Sequence, residues 1–368
     1  MHEEDRRMYE LEYPAPVIRD DSGDGKGPTM IVAMHGYADA GQAIEASADH
    51  LKAALEGRQL ASFNSDELMD YRSRRPAVTI DKDRALEIES MDLGIKVLRD
   101  NSGKTFLLLS GPEPDMRWDA FTTAVVKLVE KFNIEDTIML YAAPMPVPHT
   151  RPTVVTAHGT SSRLTEHMLS MDSTMMVPGS AALYLEKALA DKHRTVAGYT
   201  VHVPHYLAAS PYPQATFQLL DSVARAARLN IPLGSIEADI SRVENQLEEQ
   251  VGGSEEIEGV VQQLEQQYDA YMERYRKEHP QAIMPGEEPV PTGEEISEEF
   301  QAFLASLDEE ESQQIIHTEI DDREDGIEDE GSQADDGEDG IEDEGSQADD
   351  GEDGPGPAQD DGDLGDDI

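Results

Sequence analysis

The sequence predicts an α/β protein, a three-layer α/β/α sandwich built on a mixed, mostly parallel sheet. Three observations carry this prediction. Short apolar runs alternate with amphipathic stretches up to about residue 228, turn residues separate them, and the composition changes after residue 234. Strands that alternate with helices favour a parallel sheet covered on both faces. We therefore expect an α/β domain over 1–234, an antiparallel helical hairpin over 235–279 and a disordered acidic tail over 280–368.

Two segments show the signature of buried strands. Residues 30–34 (Met-Ile-Val-Ala-Met) and 106–109 (Phe-Leu-Leu-Leu) are apolar without interruption, as is typical of strands buried on both faces. An amphipathic stretch follows each run, at 44–55 and 116–132, with apolar residues three or four positions apart. This spacing predicts two helices that pack on the sheet.

Further elements follow from local signals. Pro178 and Pro213 predict two helix starts, because proline fits the first turn of a helix. The segments 85–91 and 95–99 are interpreted as the two strands of one hairpin. The sheet is therefore expected to be partly antiparallel.

The C-terminal third has a different pattern. Apolar residues three or four apart run through 236–275 and are interrupted at Gly252-Gly253-Ser254, which predicts two helices with one apolar stripe each. A second, shorter pattern predicts an amphipathic helix over 294–308 that docks on its own domain or on a partner. Residues 325–338 recur identically at 339–352, and a duplication of such low hydrophobicity predicts disorder.

Charge and composition exclude several classes of function. The chain has 78 acidic residues against 29 Lys and Arg, a formal net charge of −49, and no cysteine. An acidic surface repels phosphate backbones and anionic membranes, so we expect neither a nucleic-acid partner nor a membrane. Disulfides and thiolate chemistry are excluded. No stretch approaches ~18 uninterrupted apolar residues, and the first residues lack the apolar core of a signal peptide. We expect a cytoplasmic protein.

The sequence contains no intact catalytic motif. Residues 102–105 (Ser-Gly-Lys-Thr) match the end of a P-loop, but Leu98 occupies the position of its first glycine and a strand follows. The His35-Gly36 pair resembles an α/β-hydrolase oxyanion segment, but no Gly-x-Ser-x-Gly elbow exists. We assign no catalytic residue, no metal site and no cofactor. Catalysis stays open, and a non-catalytic role is favoured.

Candidate ligand-binding residues lie on predicted loops after strands, where open parallel sheets bind ligands. They are Gly36, Asp39, Gly41, Glu113, Trp118, His149, Arg151 and His205. The turn at 36–41 precedes a helix N-terminus that can hold an anion. Alternatively, Asp39 caps the helix and the glycines permit the turn. Arg151 can make a bidentate contact with a carboxylate or phosphate.

Five segments occur together in one order: 36–41, 111–114 with Trp118, 148–152, 177–179 and 204–207. On these motifs the chain resembles the actinobacterial branch of the proteasome assembly chaperone family, second type, over roughly residues 10–275. The resemblance implies a sandwich akin to the purine-nucleoside-phosphorylase architecture. It also implies self-association, for which a trimer is a candidate, and it supplies no agreed catalytic set.

Two functions follow as hypotheses. The first is a non-catalytic assembly chaperone or scaffold protein that acts through protein–protein contacts, by the hairpin 235–279 or the helix 294–308. The alternative is a binding protein or enzyme for a nucleoside-like or anionic small molecule, with a phosphorylase-like site at the carboxyl ends of the strands.

Overall fold

The structure, a computed structural model, describes residues 8–16, 18, 27–166, 168–171, 173–280 and 282–287. These residues all lie in the first of two units, Met1–Val290 and Pro291–Ile368. The predicted helix 294–308 and the duplicated acidic segment therefore lie outside the described residues.

The described strands form a large sheet and a separate ribbon. In chain order they are β1 (Tyr9–Leu11), β2 (Thr29–His35), β3 (Gly57–Phe63), β4 (Val78–Asp81), β5 (Arg84–Ile88), β6 (Gly94–Arg99), β7 (Thr105–Pro112), β8 (Asp136–Met145), β9 (Val155–Gly159) and β10 (Thr195–Pro204). The sheet has the order β1-β3-β6-β7-β2-β8-β10-β9.

The centre of this sheet is parallel and its edges are antiparallel. Strands β7, β2, β8 and β10 pair in parallel, whereas β6, β3, β1 and β9 join through antiparallel pairs. Five of the eight strands consequently run in one direction. The predicted mixed, mostly parallel sheet is confirmed.

Helices cover both faces of the sheet. In chain order they are α1 (Ala43–Ala54), α2 (Ser65–Leu68), α3 (Trp118–Lys131), α4 (Ser162–Thr165), α5 (Ala181–Asp191), α6 (Pro213–Ala227), α7 (Gly234–Gly252) and α8 (Glu255–Glu278). Two 3₁₀ turns occupy Ala40–Gln42 and His205–Leu207. Buried side chains of α1 and α6 form a core with one face of the sheet, and those of α3 and α5 form a core with the other. This arrangement confirms the three layers.

The sequence pattern explains the central elements. Strand β2 is buried on both faces over Thr29–Met34, because its neighbours β7 and β8 lie in the middle of the sheet and helices cover both sides. Ile44, Ala48 and Leu51 of helix α1 point into one core. They form the apolar stripe that the spacing predicts.

Two local predictions are wrong. Segments 85–91 and 95–99 do not pair with each other: β5 pairs with β4, and β6 pairs with β3 and β7. The apolar side chains of β6 are buried while β5 is exposed throughout, so burial selects β6 for the sheet. Helix α5 begins at Ala181 and not at Pro178, because the Ser180 hydroxyl accepts a hydrogen bond of 3.2 Å from Leu183 N and caps it. Pro213 does open α6.

Two helices occupy the range of the predicted hairpin. Gly253 and Ser254 separate α7 from α8. Ile236 of α7 belongs to the core beneath α6, whereas α8 packs Tyr268 and Tyr275 on a smaller cluster that includes Met284. Residues 282–287 thus pack on the fold, although the prediction placed them in the tail. No helix in the described part of the chain is long and apolar enough to cross a membrane.

Candidate functional site

Glu113 and Gly36 lie against each other where β7 and β2 end. The Glu113 side chain is buried, and its Oε1 accepts a hydrogen bond of 2.6 Å from the backbone N of Ala181, the first residue of α5. A Cβ at position 36 would lie 2.7 Å from Glu113 Oε2, so glycine permits this close approach. A helix N-terminus favours an anion, and here the chain's own carboxylate occupies that place.

Asp39 has the corresponding role at α1. Its Oδ1 accepts a hydrogen bond from Ile44 N at 2.7 Å, and its Oδ2 accepts one from Glu45 N at 3.1 Å. Burial raises the pKa of the Asp39 carboxyl, while these two hydrogen bonds and nearby His35 oppose the shift. The geometry is that of the helix cap considered as the alternative.

Gly41 connects two loops at the same edge of the sheet. Its φ of 68° is left-handed, a conformation that glycine adopts without strain. The Gly41 backbone N donates to Ala208 O at 2.8 Å, and its carbonyl accepts from Tyr212 N at 2.9 Å. The turn after β2 is therefore held to the loop after β10.

Trp118 opens α3 and covers a seam between helices. Its indole N–H donates to Pro114 O at 2.6 Å, and its ring packs edge-on against Tyr184 of α5, with centroids 5.0 Å apart. Both the polar and the apolar part of the side chain therefore have partners within the fold.

His149 and His205 both contact Tyr206. The Tyr206 hydroxyl lies 2.7 Å from His149 Nδ1 and accepts a hydrogen bond of 3.0 Å from His149 N. The His205 ring packs edge-on against the Tyr206 ring. Burial lowers the pKa of His149, and carboxylates on α7 and α8 act in the opposite direction.

Arg151 makes the bidentate contact that its position predicts, but with its own chain. Its Nε and Nη2 donate to the two carboxylate oxygens of Asp269 at 2.9 and 3.0 Å, and Nη1 donates to Glu265 at 3.1 Å. Both acidic residues lie on α8. The contact raises the pKa of Arg151 and ties loop 148–152 to α8, where Tyr268 also donates to Pro152 O at 2.7 Å.

A cavity of about 1790 Å³ lies beside the turn that follows β2, since Tyr37 and Ala38 of that turn line it. Its described walls come from the turn after β2, the end of β8, strand β9, residues 168–171 and 173–180, and the C-terminal end of α8. None of the eight candidate residues is among the described residues that line it. Their assignment to ligand binding therefore stays a prediction, although the 36–41 turn borders this cavity through Tyr37 and Ala38.

A hydrogen-bonded polar group stands at the wall of the cavity. Tyr141 donates to Glu186 Oε2 at 2.8 Å, and His158 Nε2 lies 3.0 Å from Glu186 Oε1. The Tyr141 and His158 rings stack with centroids 6.0 Å apart. Burial and Glu186 raise the pKa of Tyr141, and the hydrogen bond to Glu186 raises the pKa of His158.

A second polar pair lies deeper. His202 Nε2 is 3.2 Å from Thr156 Oγ1, and both side chains are buried. Burial lowers the pKa of His202 to about 4, so the ring is neutral at pH 7. Across the described part of the chain, no group of three or more His, Asp or Glu side chains could hold a metal ion.

The mouth of the cavity is apolar and irregular. We call the side chains Met171, Met175, Met176 and Val177 the methionine rim; all four line the cavity and are exposed. Met176 is 98% exposed. Residues 174–180 belong to no helix or strand. Contiguous exposed apolar surface marks binding sites, and methionine adapts its shape to different partners.

Sequence reasoning missed both the polar wall and the rim. Tyr141 and Glu186 are 45 positions apart and match no motif. A weaker signal was present for the rim, since four of the 15 methionines fall within residues 168–176. Such a density in a segment without helical or strand periodicity indicates a surface and not a core.

A family model described as the PAC2 family matches residues 33–251. The chain belongs to the PAC2 family. This confirms the resemblance carried by the five ordered segments. The match to the PAC2 family begins in β2 and ends in α7, so α8 with its contacts to Arg151 lies beyond it.

Solved structures share the fold. A Corynebacterium glutamicum protein of unknown function is 58% identical, with a TM-score of 0.71, over 73% of this chain and 100% of that one. A Mycobacterium tuberculosis protein of unknown function is 45% identical, with a TM-score of 0.70, over 73% and 92%. A second M. tuberculosis protein, a proteasome-assembly chaperone homologue, is 24% identical, with a TM-score of 0.58, over 63% and 99%; it shows the fold alone. No curated protein matches the chain.

Proposed function

We propose that this PAC2-family protein is a non-catalytic assembly or scaffold protein that holds an extended segment of another protein chain. The segment lies in the cavity, and the methionine rim grips it. One observation carries the proposal: exposed, adaptable apolar side chains of one segment line a wide cavity. The chaperone role implied by the family resemblance points in the same direction.

The size of the cavity favours a protein segment over a small molecule. Small-molecule sites usually measure roughly 300–1,000 Å³, and this cavity measures about 1790 Å³. A nucleoside would leave much of the apolar cavity wall in contact with water, whereas an extended protein segment with several apolar side chains would cover that wall.

Charge restricts the segment further. Among the described residues that line the cavity none is Lys or Arg, while Glu166 lines it and Glu186 stands behind it. An anionic ligand would therefore meet no lysine or arginine in that lining. We expect an apolar segment with neutral or basic flanks, which an acidic protein also attracts at long range.

The partners of the polar residues support a non-catalytic role. Glu113 and Asp39 hold helix N-termini, and Arg151 holds α8. Each of these groups has a structural contact within the chain, so a reaction would require breaking contacts that hold the fold together.

Capture experiments with matched variants test this function. The test protein is the full chain, with Met175→Asp and Met176→Asp introduced together. Its control carries the same kind of change at two other exposed apolar positions, Ile80→Asp and Ile88→Asp. We expect wild type and control to retain one stoichiometric partner from cell extract and the rim variant to lose it. A partner that survives the rim changes, or no stoichiometric partner at all, contradicts the proposal.

The small-molecule alternative has its own supporting observation, the Tyr141–Glu186–His158 group at the cavity wall. A ligand that binds the native state raises the melting temperature by mass action. A thermal-shift screen with nucleosides and inorganic phosphate should give no shift under the proposed function. A shift that Glu186→Gln removes would favour the alternative.

The hairpin 235–279 enters the proposal as part of the cavity, since Tyr275 and His279 at the end of α8 line it. Cytoplasmic location, the candidate trimer and a contact role for 294–308 stay predictions.

A further inference from the structure

Exposed thioether sulfur is concentrated in the methionine rim. Its three methionines, Met171, Met175 and Met176, are 40%, 52% and 98% exposed, and all three line the cavity. In the rest of the described chain, Met116 at 42% is the one other methionine of comparable exposure, and it is not among the described lining residues. The thioethers that solvent reaches most easily therefore lie at one place, the cavity mouth.

The methionines of the core are protected from solvent. Met30 of β2 and Met139 of β8 have no exposed surface, and Met34 and Met284 are 5% exposed. Oxidation of a side chain depends on its exposure, so a dissolved oxidant reaches the rim before it reaches the core. The chain has no cysteine, so no thiol of this protein competes with the rim for the oxidant.

We propose that the methionine rim is a site of reversible oxidation, with a peroxide as the oxidant and Met176 as its first target. The thioether sulfur attacks the O–O bond of hydrogen peroxide and takes up an oxygen as a sulfoxide, and the other oxygen leaves as water. Sulfur is oxidised and peroxide is reduced. The reverse step requires a methionine sulfoxide reductase and a dithiol, which becomes a disulfide while the sulfoxide oxygen leaves as water.

Oxidation changes the surface that the proposed function uses. A sulfoxide is polar and chiral, and it disrupts methionine-rich interfaces. Covering its oxygen with an apolar segment costs free energy unless a hydrogen-bond donor meets it, and the described lining has no Lys or Arg to supply a charged donor. Oxidation should therefore release the held segment. This release rests on the proposed function, whereas the position and order of oxidation do not.

Peroxide treatment of the folded full chain tests the site. Limiting hydrogen peroxide is added, and peptide mass spectrometry measures the sulfoxide at each methionine over time. We expect Met176 to oxidise several times faster than Met116, with Met30 and Met139 unmodified while thermal melting shows an intact fold. Reductases for both sulfoxide epimers, with dithiothreitol, should restore Met176. A rate at Met176 no higher than at Met116, or a sulfoxide that these reductases leave unchanged, would overturn the proposal.

Capture from cell extract tests the consequence. Peroxide-treated protein should retain the stoichiometric partner several times less than untreated protein, and reductase treatment should restore it. Met175→Gln and Met176→Gln together place neutral polar groups in the rim and should cause the same loss without peroxide, while the matched control Met116→Gln should not. Full capture by the oxidised chain contradicts the release. If untreated wild type captures no partner, the proposed function fails, and the oxidation rates still decide whether the rim is the modified site.

Discussion

The loops at the strand ends and the methionine rim differ in how their side chains are partnered. At the strand ends, Glu113, Asp39 and Arg151 each meet a group of the same chain. At the rim, Met175 and Met176 face solvent. Polar residues at a place where folds of this class bind ligands have partners within the chain here, while the exposed side chains of the rim are apolar and lie on an irregular segment. In our proposal the exposed apolar side chains that lack a packing partner, and not the polar residues at the strand ends, form the binding surface.

The largest expected effect on stability comes from His202, a buried residue near the end of β10. Its folded pKa of about 4 lies below the unfolded value of 6.5. Between these values the unfolded chain binds a proton that the native chain does not, so stability falls as pH falls from about 6.5 to about 4. The shift corresponds to roughly 3 kcal/mol.

Replacing His202 by Asn should remove this part of the acid sensitivity. Urea unfolding of wild type and H202N between pH 7 and about 4 gives the comparison, because the difference between the two curves isolates one group. Curves that stay parallel over this range would show that His202 is not buried in its neutral form.

Glu113→Ala should have the next largest effect on the free energy of unfolding. The change leaves the buried N–H of Ala181 without its acceptor, and hydrogen bonds to charged groups contribute about 1.5–3 kcal/mol. We expect a destabilisation of about 2 kcal/mol, measured by urea unfolding. Glu113→Gln retains an acceptor oxygen and should lose less; equal losses would mean that the carboxylate charge, and not an acceptor oxygen, stabilises the N-terminus of α5.

His158 should show a smaller pH effect of opposite sign. Glu186 raises its folded pKa above the unfolded value of 6.5. The stabilisation is therefore fully present below pH 6.5 and is lost as pH rises through the folded pKa. Its side chain is half exposed, so solvent weakens the effect. In the unfolding free energy of His158→Gln, the loss relative to wild type should be larger at pH 6 than at pH 8.

Arg151→Lys should have a local effect. Lysine cannot make the two parallel hydrogen bonds to Asp269, so α8 should exchange its amide hydrogens faster while the sheet is unchanged. Mass-spectrometric hydrogen exchange measures both regions in one sample. Equal acceleration in the central strands would indicate that Arg151 supports the whole fold.

Substitutions in the methionine rim should have the smallest effect on stability. Met176→Asp should leave the free energy of unfolding within about 0.5 kcal/mol of wild type, because an exposed side chain contributes little to the native state. A loss well beyond this value would mean that the rim packs within its own chain.

The layered core was predictable because apolar runs and helical stripes report burial directly. Residues 30–34 and the Ile44–Leu51 stripe occupy the core as predicted. The pairing of strands was less predictable. Residues 95–99 do form a strand, but this strand pairs with β3 and β7 because its apolar side chains are buried, and not with the nearby segment 85–91. At the candidate site, the bidentate geometry expected of Arg151 is present in its contact with Asp269, while its role in ligand binding stays a prediction. The sequence could not show that Asp269 on α8 supplies this carboxylate, since 118 positions separate the two residues.

The central claim is that the methionine rim contacts another protein chain. Its most direct test places a photo-crosslinking amino acid at position 176 in cells, with Lys187 of the neighbouring helix α5 as the exposed control position. Illumination should join position 176 to one discrete protein through a segment with apolar side chains and no net negative charge, and should leave position 187 without that product. The same crosslinks at both positions, or none at 176, would contradict it.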